Sequence, residues 1–183
     1  MGWGHLLPGR FDRERGYILM EKVEALIDQV SGAIGRFVSW FILMMMLITA
    51  LVVVMRYFLN LGSIPLQETI VYLHGGVIML SIGYTLKVNG HVRVDVVHRT
   101  LTQRQRHCVE LLGWIFFLMP VSLFLFLTSL PYVAFSWAVF ESSGAPGGLP
   151  GVFLLKTVIP IMAALLFLQG LSQGSKALRA LRQ

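Results

Sequence analysis

Arg56, Glu68 and Lys156 stand at the edges of long apolar runs, where ionisable side chains are the first candidates for work on a membrane pathway. A carboxylate with two cations at its depth could bind or relay an ion. The same three charges could equally snorkel to an interface or pair with one another. No charge falls in the middle of any apolar run. His74 lies about one turn into the second run, beside Gly75 and Gly76, whereas His5, His91, His98 and His107 all fall outside the runs. A haem held inside a helical bundle needs histidines at matching depth on facing helices, and one does not suffice. Cys108 is the single cysteine, so an internal disulfide and a thiolate metal cluster are both excluded. With no nucleophile–base set, phosphate loop or metal-binding helix motif, neither an enzyme nor a cofactor or metal site is expected.

The elements that must position these residues are membrane helices. The chain has 183 residues, 56% of them hydrophobic and 13% charged, with a mean hydropathy of +0.73. Soluble domains carry about 25% charged residues. Four apolar stretches, at about 37–59, 70–86, 111–140 and 151–171, are long enough or nearly so to span a bilayer. The net charge of +6 does not indicate nucleic acid, because the basic residues lie between these runs and form no patch. The expected fold is all-α, with four transmembrane helices in a single domain over 18–183, after a disordered tail over 1–17. The first thirty residues are too polar for a secretory signal peptide. Leu19, Val23, Leu26, Ile27, Val30 and Ile34 recur at helical steps, with Glu21, Lys22, Glu24 and Asp28 on other faces. That pattern predicts an amphipathic lead-in helix lying on the membrane surface.

Thirteen Lys and Arg residues precede the first run, separate the second from the third, or follow the fourth, against only Arg56 and Lys156 at the other end. This asymmetry predicts that both termini are cytoplasmic. Arg36 to Arg56 is 20 helical steps, about 30 Å or one hydrocarbon thickness. Glu68 to Lys87 and Lys156 to Lys176 give nearly the same length. Arg56, Glu68 and Lys156 therefore share the outer interface, and Glu68 is expected to pair with one of the two cations, within this chain or across to another subunit. Glu110 to Glu141 is 31 steps, too long for an upright span, with Pro120 and Pro131 as candidate bend sites.

Two further features could form interfaces. The segment 90–101 alternates valines with Arg93, Asp95 and polar neighbours after His91, which predicts a short amphipathic element on the cytoplasmic side, between the second and third spans. Gly76 and Gly83, seven residues apart, share a face that permits close helix approach, within the bundle or against another subunit.

Together these residues resemble a known family. RYFLN closing the first span, QE opening the second, KVNGHVRVD after it, ESSGAPGGLP, and the later Lys156-x-x-x-Pro160 and LQGL are similar to the small membrane subunit of tripartite ATP-independent periplasmic transporters. The resemblance covers about 37–172. It implies a subunit working with a large multi-helix membrane subunit, which holds the substrate and sodium sites and moves as an elevator, and with a periplasmic substrate-binding protein. It implies uptake of organic acids driven by sodium, with this chain as the fixed scaffold in the inner membrane, in contact with membrane lipids. Many family members open the second helix with two acidic residues; here Gln67 precedes Glu68, which leaves a single carboxylate there. Two other readings stand beside it: a small oligomeric transporter using Glu68, and the haem or quinone anchor of an oxidoreductase.

Overall fold

Proline suits the first turn of a helix, where its missing N–H is not needed, and the first helix, α1, opens on Pro8 and continues to Phe58. The computed structural model describes residues 8–90 and 101–182, with side chains from Ile18 to Leu181. Residues 8–17, expected as part of an irregular tail, are already helical. Lead-in and first span form one unbroken helix of 51 residues. It ends where Asn60 adopts a left-handed conformation (φ 53°) and the Leu61 N–H folds back to the Met55 carbonyl, 3.0 Å away.

The second path comprises α2 (Ile64–Leu80) and α3 (Ile82–Lys87), with Pro65 in its first turn. At Ser81, between them, the helical bonds Ser81 N–H to Val77 and Thr85 N–H to Ser81 persist, so the path continues without unwinding. The third path begins with α4 (Gln103–Gly113), opened by a capping box in which Thr102 and Gln105 satisfy each other's main-chain N–H groups. It passes through a π-helical turn (Trp114–Leu118) into α5 (Met119–Ala138). The Met119 N–H reaches back to the Trp114 carbonyl because Pro120 has no N–H to offer the turn before it. The irregularity of the long third path thus lies at Pro120, whereas at Pro131 the α-helix simply continues. The fourth path is α6 (Val152–Arg182).

Among the described residues every regular element is a helix, and four helical stretches are long and apolar enough to cross a membrane: Ile18–Phe58, Ile64–Lys87, Gln103–Ala138 and Val152–Leu181. The protein is an all-helical multi-pass membrane protein. α6 is its centre, packing against α1, α2, α3, α4 and α5, while α1 also lies along α2 and α3. α5 packs chiefly along α6; Ser122, Ser129 and Ser136, one every seventh residue, are buried on it, and Ser122 lines one small cavity with the fully buried Ala163 of α6. Small side chains let membrane helices approach closely, and the Ser122 and Ser129 hydroxyls satisfy themselves on their own helix backbone.

Glycines set the other close approaches. A Cβ at Gly174 would stand 2.6 Å from the Trp114 ring, so this indole is seated against α6. Gly76 faces the Phe41 ring, and Gly83 faces Leu165 and Ser31. The shared face of Gly76 and Gly83 is therefore used inside this chain, against α1 and α6. Large apolar side chains cover the outside instead, among them Trp40, Leu47 and Phe58 on α1 and Phe124 and Phe135 on α5.

Candidate functional site: charge clusters at the two ends of the bundle

At the end carrying the 59–63 and 139–151 connections, the Glu68 carboxylate organises a loop. Its Oε2 accepts the Leu149 N–H at 2.6 Å, and its Oε1 accepts the Ser143 hydroxyl, which itself accepts the Ala145 N–H. The loop can wrap this tightly because Gly147 takes φ 72° and because a Cβ at Gly148 would stand 2.6 Å from Ser143 and 2.8 Å from Glu68. The Gly-rich sequence ESSGAPGGLP is thus the shell of one carboxylate.

Lys156 has a different partner. Its Nζ lies 2.5 Å from Glu141 Oε2 and 4.2 Å from the centre of the Tyr132 ring. One turn along, the Trp137 indole donates to Thr157 and packs edge-on against Phe153. The hydrogen bond and charge of Lys156 hold the Glu141 carboxyl below the usual carboxylate range. Arg56 makes no ion pair among the described residues and lines an open cavity of about 720 Å³ with Tyr57, Asn60 and Gln67. Gln67 faces that cavity. Glu68, about 100° further round the helix, faces the 141–150 loop instead. The expected pairing of Glu68 with Arg56 or Lys156 does not form within the chain: the loop's own N–H and hydroxyl groups take the carboxylate, and Glu141 takes the lysine.

The opposite end holds a larger cluster, between residues 21–31 of α1 and 169–179 of α6. Asp28 accepts Lys176 at 2.7 Å on one oxygen, and Gln169 at 2.9 Å and Ser172 at 3.2 Å on the other. Gln169, fully buried, accepts the Ser31 hydroxyl at 2.7 Å. Arg179 reaches both Glu21 and Glu24, and Ser175 donates to Glu24, which is only 6% exposed. From α3, Lys87 donates to the Asp28 carbonyl at 2.8 Å and receives Gln173 on its own. The charged face of the lead-in helix is therefore packed on α6, and Leu19 and Leu26 point outward. The polar face marked by the amphipathic pattern is thus turned toward α6, which supplies complementary polar groups.

In the sequence Glu24 and Asp28 mark only a helix face, Glu141 and Lys176 only span lengths, and Gln169 only part of LQGL; none stands out there as a site residue. A signal for this second cluster existed: Glu21, Glu24, Asp28 and Ser31 recur at three- and four-residue steps, as do Gln169, Ser172, Ser175, Lys176 and Arg179. His91, Arg93 and Asp95 lie outside the described residues. His74 is exposed on α2, and among the described residues no group of three or more His, Cys, Asp or Glu side chains could hold a metal ion.

This geometry ties helices together at both ends. Residues 45–180 match the family described as "Tripartite ATP-independent periplasmic transporters, DctQ component". No curated protein and no solved structure matches the chain.

Proposed function

The chain belongs to the DctQ component family of tripartite ATP-independent periplasmic transporters, and from that membership we propose that it is the fixed scaffold subunit of a sodium-driven transporter for organic acids. In this reading it sits in the bacterial inner membrane with both termini cytoplasmic, as the thirteen-to-two distribution of basic residues favours. Its partners are the large membrane subunit, which carries substrate and sodium, and the periplasmic substrate-binding protein.

The observation that carries the scaffold role is the fastening of α6 at both ends, by Lys156 to Glu141 on one side and by Lys176 and Arg179 to Asp28, Glu24 and Glu21 on the other. A subunit that passed substrate through its own helices would have to part them against these contacts. Transporters of that kind place substrate at discontinuous helices near mid-membrane. Here the junction at Ser81 keeps its helical hydrogen bonds, and the π turn before Pro120 is filled by Trp114 against Gly170 and Gly174. A stator against which another subunit moves needs this rigidity, and long exposed apolar faces on α1 and α5 to bind it. Uptake by liposomes containing this chain, alone and with the other two components, tests the reading.

A further inference from the structure

Arg36 opens the first apolar run and Lys87 closes the second, so the two cations belong to the same membrane end. The fold brings them to one spot. α3 approaches α1 closely at Gly35, where a Cβ would stand 2.6 Å from the Tyr84 ring. One turn earlier on α1 lies Gly32. A Cβ there would be 3.1 Å from the Lys87 Nζ and 3.7 Å from the Arg36 Nη1. The arginine reaches back along its own helix, as helical side chains lean, and the lysine comes in from α3. Both nitrogens therefore stand over the same notch, near enough for the oxygens of one phosphate group to reach both.

Among the described residues neither cation has a carboxylate of its own. Lys87 donates to the main-chain carbonyl of Asp28. The carboxylate of Asp28 is already engaged by Lys176, Gln169 and Ser172. Arg36 makes no hydrogen bond or ion pair among the described residues. Two like charges over one notch repel unless an anion joins them.

We infer that Arg36 and Lys87, converging over Gly32, form a binding site for the phosphate of an anionic phospholipid. The guanidinium supplies a fork for phosphate oxygens and the ammonium a point charge. Trp40, one turn from Arg36 on the same face toward the apolar run, is 65% exposed. Tyr84 flanks the notch and is also exposed. Aromatic side chains of this kind favour the headgroup level, and acyl chains leading away from the notch would cover Trp40. A free phosphate would satisfy the charges and leave that surface bare. The inference requires only that the chain spans a membrane; it does not depend on the transport reading.

The test is native mass spectrometry of the full chain in detergent, with added dioleoyl phosphatidylglycerol or dioleoyl phosphatidylcholine. The wild type should retain the anionic lipid preferentially. Arg36→Gln or Lys87→Gln should each lower that retention by about tenfold, the scale of one charge-assisted hydrogen bond, and Arg36→Lys should restore part of it. Gly32→Leu keeps both charges and fills the notch, and should lower retention as well. Unchanged retention in Arg36→Gln and Lys87→Gln, with wild-type helix content by circular dichroism, would overturn the site. Displacement of the lipid by millimolar glycerol phosphate would overturn its assignment to lipid. Loss of the large subunit from both variants, with lipid retention intact, would make the notch a protein contact and overturn the proposal too.

Discussion

Asp28 of α1 and Lys176 of α6 meet at 2.7 Å, 148 residues apart in the chain, inside a polar seam that also engages Gln169, Ser172 and, through a main-chain carbonyl, Lys87. The pair is partly buried, with the carboxylate side chain 24% exposed. Its loss should therefore cost more than that of a surface pair and less than that of a fully buried one. Asp28→Asn should destabilise the chain by about 1–3 kcal/mol, read from thermal unfolding in detergent. In a double-mutant cycle with Lys176→Met the two changes should couple by about 1 kcal/mol or more. Additivity within about 0.5 kcal/mol would show that the seam does not depend on this pair.

Glu68 acts through the loop that surrounds it. Glu68→Ala leaves the Leu149 N–H and the Ser143 hydroxyl without their acceptor. Hydrogen exchange at the Leu149 amide should accelerate about tenfold or more, as expected for losing a hydrogen bond to a charged group. Exchange in the middle of α6 should be unchanged. An unaltered rate at Leu149 would mean that the loop holds its shape without the carboxylate.

Acid should loosen the Lys156 contact. The Glu141 carboxyl is held below its ordinary value by Lys156, so its contribution to stability is fully present above the unfolded-state pKa and is lost as pH falls through the lower folded-state value. The difference in thermal midpoint between wild type and Glu141→Gln should thus be constant near neutral pH and shrink below about pH 4. A difference independent of pH down to the acid limit of the assay would remove the charge from the account.

The proposed topology rests on the distribution of basic residues. In a Cys108→Ser background, a cysteine at Gly144, which has open space around it, should react with an impermeant thiol reagent in cells whose outer membrane has been permeabilised. One at Gln103 should react only once the inner membrane is opened. The opposite pattern would invert the orientation.

Four spans were legible because each is an apolar run of membrane length, and the disruption at Pro120 was legible because proline removes a helix donor. The polar seam was harder to see. Glu21, Glu24 and Asp28 look like the solvated face of a surface helix until α6 is known to bring Lys176 and Arg179 against them, and that is a pairing across the whole chain. Glu68 and Lys156 were visible as interfacial charges, but their partners were not. Equal depth along the membrane normal says nothing about which way round its helix a side chain points, and a main-chain N–H such as that of Leu149 leaves no mark in sequence. Gly76 and Gly83 marked a face without naming its neighbour; Phe41, Ser31 and Leu165 of this chain stand against it.

In the proposed function this chain supports transport without performing it. Sodium-dependent uptake of a radiolabelled organic acid should be measured in liposomes holding the purified chain alone, the large subunit alone, and both together, with and without the binding protein. The account predicts no uptake by the lone chain under any gradient, and uptake when all three components are present with sodium outside. Sodium-driven uptake by this chain alone would contradict it.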